Sequence, residues 1–136
     1  MIFLDTNYFL RFLLADVSVQ HQKAVNVFTQ AAEEKIRVGT SLVVILELFW
    51  VLSSYYKKSK REVIMIMQSV LALQFIDLPE RRNLQKTLLL YKRSSIEFED
   101  CYNLVYATTK GVTDFKTFDK KLERVLAREL SGQGID

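Results

Sequence analysis

One cysteine, one proline, one histidine and four glycines are all that this 136-residue sequence contains of those types. A lone Cys101 forms no internal disulfide and builds no cysteine-based zinc site, which favours a cytoplasmic protein. A lone His21 leaves no Ser-His-Asp or Cys-His arrangement to assemble. It falls on the polar side of an amphipathic pattern, where a solvated role is expected. The chain lacks a glycine-rich phosphate loop of either the P-loop or the dinucleotide kind. With so little glycine and proline, long irregular loops have little room, and most of the chain is expected to be regular. The most apolar run, residues 42–52, is about half the roughly 20 residues a membrane helix needs, and Glu47 interrupts it. The opening residues meet an acid at Asp5, without the basic lead and small-residue cleavage site of a signal peptide. No membrane association is expected.

What is present is a globular composition, 49% hydrophobic and 26% charged, over a length that suits one domain. No linker, repeat or low-complexity segment divides it. A single domain over 1–136 is expected, with 131–136 a frayed tail. Net charge is +3, from 19 basic and 16 acidic side chains. That mild excess fits a nucleic-acid partner without requiring one. Lysines and arginines gather at 57–61, 81–82, 92–93 and 116–121, as phosphate-binding patches or as ordinary solvated loops and helix ends.

The apolar residues 2–4 predict a buried strand ending at Asp5. Helices are predicted at 8–14 and at 19–34, the second with Ala24, Val25, Phe28, Ala31 and Ala32 on one face. A short strand fits 36–38, before a helix capped by Ser41 that runs to about 57. Ser59 and Glu62 have capping-box spacing and open a helix to about 73. A strand at 75–78, Pro79 at the start of a helix over 80–91, and a helix over 100–109 closed by Gly111 follow. The last strand is expected within 112–118 and the last helix at 120–130. Strands alternating with helices imply an α/β sandwich around a largely parallel sheet.

In open α/β sheets functional groups collect at the carboxyl ends of strands, and Asp5 and Asp119 both follow strand candidates. Each is equally suited to capping a helix or making a turn. Glu47 has five apolar residues on either side and is expected to lie partly buried. A buried carboxylate needs a cation, a basic partner or a route to the surface. Asp100 stands beside Glu97 and Glu99 at a helix start, where the macrodipole favours acids of any role. If Asp5, Glu47, Asp100 and Asp119 converge, their mutual repulsion favours a hard divalent cation such as Mg²⁺ or Mn²⁺. Acids in a basic protein suit a nuclease, with the carboxylates on metal and Lys or Arg on phosphate. A phosphatase using Asp5 as nucleophile is disfavoured by Asn7, which stands where a second Asp is expected.

Four segments carry a family resemblance. Ile2-Phe3-Leu4-Asp5-Thr6-Asn7, the Ser41 to Glu47 spacing, Phe98-Glu99-Asp100-Cys101-Tyr102 and Thr117-Phe118-Asp119 resemble, in order, the four motifs of PIN-domain proteins. The chain is most similar to VapC-like toxins of toxin–antitoxin pairs, from residue 2 to about 126. The resemblance implies a three-layer sandwich whose mainly parallel sheet has four to five short strands. It further implies Mg²⁺- or Mn²⁺-dependent endoribonuclease activity on RNA, a homodimer, and a cognate antitoxin that blocks the site. Asp5, Glu47 and Asp100 carry over as core metal ligands, Asp119 as a ligand or water-positioning acid, and Thr6 and Thr117 as supporting hydroxyls. Glu97 and Asp114 also lie near the motifs as alternative ligands. A housekeeping PIN nuclease of RNA processing and a non-catalytic RNA- or protein-binding module are the competing readings. The aromatic residues Phe49, Trp50, Tyr55 and Tyr56 are expected to line the dimer interface or the core.

Overall fold

Three very short parallel strands organise the first half of the chain. A computed structural model describes residues 1–130, except for the side chain of Leu130, so the expected tail at 131–136 lies outside it. The chain divides into two compact units, Met1–Glu80 and Arg81–Asp136.

In the first unit the order is β1 (Ile2–Phe3), α1 (Thr6–Leu14), α2 (Ser18–Ala32), β2 (Val38–Gly39), α3 (Leu42–Trp50), α4 (Lys60–Leu71) and β3 (Ile76–Asp77). The strands lie in the order β1-β2-β3, all parallel, with Ile2 opposite Val38 and Val38 opposite Ile76. Parallel neighbours need helical crossovers between them, and the helices that alternate with the strands supply these. Gly39 allows a close approach, because a Cβ there would meet the Asp77 carbonyl oxygen at 3.2 Å.

Beyond the ladder, Leu4 N–H donates to the Gly39 carbonyl at 2.8 Å, and its own carbonyl accepts from the buried Thr40 hydroxyl at 2.7 Å. The exit of β1, where Asp5 begins the next turn, is therefore fixed by two bonds. Phe9 is fully buried on α1 and meets Phe28 of α2 edge to face at 5.7 Å, while Phe12 lies 4.3 Å from the same ring. Such pairs add to the area they bury and lock α1 against α2. Ser41 caps α3, accepting from Val44 N–H at 3.3 Å. The helix then continues through Val51–Tyr55 with wider i→i+5 bonding, Tyr56 N–H donating to the Val51 carbonyl. Ser59 and Glu62 form the expected capping box of α4.

The second unit holds α5 (Arg81–Arg93), α6 (Phe98–Thr109) and α7 (Lys120–Leu130). Leu90, Ile96, Cys101, Leu104, Val105, Leu122, Val125 and Leu126 form its core, with Tyr91 and Phe115 against them. Glu129 is 8% exposed and is held by Arg93 at 2.9 Å. Gly111, at φ +68°, takes the left-handed conformation that ends α6.

Helices and a parallel sheet confirm the α/β class. The sheet has three strands among the described residues, fewer than the four to five expected. Residues 112–118, where the sequence suggests a strand, run without ladder bonds. No helix among the described residues is long and apolar enough to cross a membrane.

Candidate metal centre

Asp5 is the residue at which β1 becomes α1. Its backbone is extended and its Oδ1 accepts from Thr6 N–H at 2.7 Å, so it caps α1 while remaining exposed. Capping and a metal role are compatible, since only one carboxylate oxygen makes that bond. Beside it, Thr6 is 2% exposed, and its hydroxyl has no hydrogen-bond partner. A buried hydroxyl without a partner costs about 1–3 kcal/mol.

Glu47 departs from expectation. It is exposed rather than partly buried, and its carboxylate makes no ion pair or hydrogen bond among the described residues. The physical reason lies in α3 itself. Val44, Ile45, Leu48 and Phe49 are buried, whereas Val43, Glu47 and Trp50, spaced i, i+4 and i+7, share the exposed face. Val43 is 69% and Trp50 59% exposed, so the apolar residues around Glu47 in sequence do not enclose it in space. Of the aromatics expected in the core or at an interface, Phe49 belongs to the core.

In the second unit, Asp100 is the third residue of α6 and half-buried. Burial, and then the charges of Asp119 and Glu97, hold its carboxyl above the usual carboxylate range. Asp119 is exposed and caps α7, its Oδ1 accepting from Lys121 N–H at 2.9 Å and Leu122 N–H at 3.1 Å. Thr117 sets it in place, its hydroxyl accepting from Asp119 N–H at 3.1 Å. Of the two alternative acids, Glu97 precedes α6 and repels Asp100, whereas Asp114 is paired with Lys116 at 2.8 Å.

The structure thus brings Asp119 and Glu97 each within electrostatic reach of Asp100 in the second unit. It places Asp5, Thr6 and Glu47 in the first. Among the described residues no three His, Cys, Asp or Glu side chains form a ready metal-holding group. The donor chemistry does fit a hard divalent cation. The acids supply only oxygen, Asp100 carries like-charge strain that a cation relieves, and the Thr6 hydroxyl beside Asp5 awaits a partner.

Two features escaped sequence reasoning. His21 is half-buried rather than solvated, with Nδ1 2.8 Å from the Arg11 carbonyl oxygen, tying α2 to the end of α1. A cleft of about 300 Å³ opens among Asn7, Tyr8, Arg11, Gln20 and Lys23. Its sequence signal is the i, i+3 spacing of Asp5, Tyr8 and Arg11, which puts them along one side of a helix.

A family model described as PIN domain matches residues 2–127. No curated protein and no solved structure matches the chain.

Proposed function

Because the chain belongs to the PIN-domain family, whose members are generally nucleases, we propose that it is a Mg²⁺- or Mn²⁺-dependent endoribonuclease. We place it as the cytoplasmic, homodimeric toxin of a VapC-like toxin–antitoxin pair. The observation that carries the metal reading is the family match over residues 2–127, supported by Asp100 lying half-buried within reach of the charges of Asp119 and Glu97.

In this reading Asp5, Glu47 and Asp100 hold the cation, and Asp119 joins them or orients the attacking water. A bound divalent ion supplies Lewis acidity and a water of lowered pKa at the phosphodiester. The chain's own contribution is positional. The cap bond to Thr6 N–H turns Asp5 into a fixed donor, and the α7 cap does the same for Asp119. Glu47, exposed and unpaired, needs no bond broken before it binds. Lysines and arginines on exposed ground, Lys23 and Lys57 among them, are available to RNA phosphates.

Purified protein incubated with RNA tests this directly. Internal cleavage should appear with Mg²⁺ or Mn²⁺ and stop on adding EDTA. Full activity in excess chelator contradicts the metal mechanism, and no cleavage of any RNA favours a binding module. The toxin role has its own test. Expression of the wild-type chain in a bacterial host should arrest growth, expression of Asp5→Asn should not, and a short adjacent gene for a DNA-binding antitoxin should restore growth.

A further inference from the structure

The α1–α2 cleft joins Lys23, already available to an RNA phosphate, to side chains that the proposed chemistry leaves unused. It holds one exposed ring (Tyr8, 40% exposed), two side-chain amides (Asn7 and Gln20) and two cations (Arg11 and Lys23). It begins one helical turn from Asp5, for Tyr8 N–H donates to the Asp5 carbonyl at 3.1 Å.

We propose that this cleft is a nucleotide subsite, holding one unpaired base of the RNA and the phosphate attached to it. The proposal rests on the ribonuclease reading and specifies where the strand lies in the first unit.

Each lining residue has a distinct capacity. Tyr8 offers a ring face, and every base has a π-face to stack on it. Asn7 and Gln20 each present a donor pair and an acceptor, which suits the mixed donor and acceptor edge of a base. Lys23 is exposed and makes no ion pair or hydrogen bond among the described residues, so its ammonium is free for a phosphate. Arg11 is differently placed. Its NH1 donates to Asp16 Oδ1 at 2.7 Å, and Tyr56 O–H reaches Asp16 Oδ2 at 3.4 Å. That pairing neutralises Arg11 and fixes it as a wall, leaving Lys23 as the net positive charge of the cleft.

A base in duplex is stacked on both faces and has no face for Tyr8, so the occupant is single-stranded. A docked peptide helix would need an apolar groove for its apolar face, whereas the apolar surface of this cleft is shared with two amides and two cations. The volume of about 300 Å³ matches a single nucleotide better than an extended partner.

Fluorescence anisotropy with a labelled single-stranded oligoribonucleotide in EDTA isolates binding from cleavage. Tyr8→Ala should weaken binding roughly tenfold, while Tyr8→Phe keeps it within about threefold. Lys23→Gln should weaken binding and reduce the salt slope by about 0.7. In Mn²⁺ the loss for Tyr8→Ala should fall on KM rather than kcat. Equal binding by wild type, Tyr8→Ala and Lys23→Gln overturns the subsite, even if the wild type cleaves RNA normally. A wild type that binds no RNA in EDTA, but captures a protein through this cleft, overturns it too. A wild type that never cleaves, yet loses RNA binding on Tyr8→Ala and keeps it on Tyr8→Phe, supports the subsite and removes the nuclease reading alone.

Discussion

Asp100 is the acid whose surroundings say most about its work. Its proton is held by desolvation first, and then by the negative charges of Asp119 and Glu97. A carboxyl whose pKa is higher folded than unfolded favours folding while protonated. That contribution is complete below the ordinary value of 3.8 and is lost as pH rises through the raised one. At pH 7 the ionised group therefore works against the fold. Asp100→Asn should accordingly melt at or above the wild-type temperature in EDTA at pH 7, with the gap closing as pH falls below 3.8. Mn²⁺ should raise the melting temperature of the wild type more than that of the variant. A variant that melts well below wild type in EDTA would show Asp100 to be a structural partner instead. At this scale the sequence was a partial guide. The motif spacing singled out Asp5, Glu47, Asp100 and Asp119, but not their exposure. Glu47 sits on the one face of α3 that tertiary packing leaves open, and an all-apolar helix carries no internal mark of which face that is.

At the scale of elements, local chemistry was the most legible. Ser59 and Glu62 specify the start of α4 through bonds that span only three residues, Ser59 N–H to Glu62 Oε1 and Glu62 N–H to Ser59 Oγ, each 3.2 Å. The Ser41 cap and the Gly111 stop were readable for the same reason. Ser59→Ala should cost about 1 kcal/mol of stability in a denaturant titration. A change below a few tenths would mean that α4 is held by packing alone. Less legible were features that depend on distant partners. Residues 112–118 have strand-like composition but carry no ladder bonds, and pairing depends on a partner that composition does not reveal. The turn at Val51–Tyr55 was expected as helix, but its i→i+5 bonding has no composition signal.

For the whole molecule, the question is what covers the apolar surface that the fold leaves outside. Trp50 at 59% and Tyr55 at 73% exposure come from the end of α3 and its continuation, beyond Glu47. Surfaces of this kind commonly mark interfaces, and a homodimer is our proposal for this one. Light scattering at micromolar concentration should give twice the chain mass, and Trp50→Glu should shift it toward one chain. A wild-type monomer would contradict the dimer. The family match runs through residues of both units, and the four acids are likewise split, two in each. The central proposal is that Asp5, Glu47 and Asp100 hold the cation, with Asp119 as a further ligand or as the acid that orients the water. Titration of the metal-free protein with Mn²⁺, followed by electron paramagnetic resonance, tests it most directly. We predict saturable binding to the wild type, weakened at least about tenfold by each of Asp5→Asn, Glu47→Gln and Asp100→Asn alike. Equal Mn²⁺ binding by the wild type and all three variants, or none by the wild type, would contradict the account.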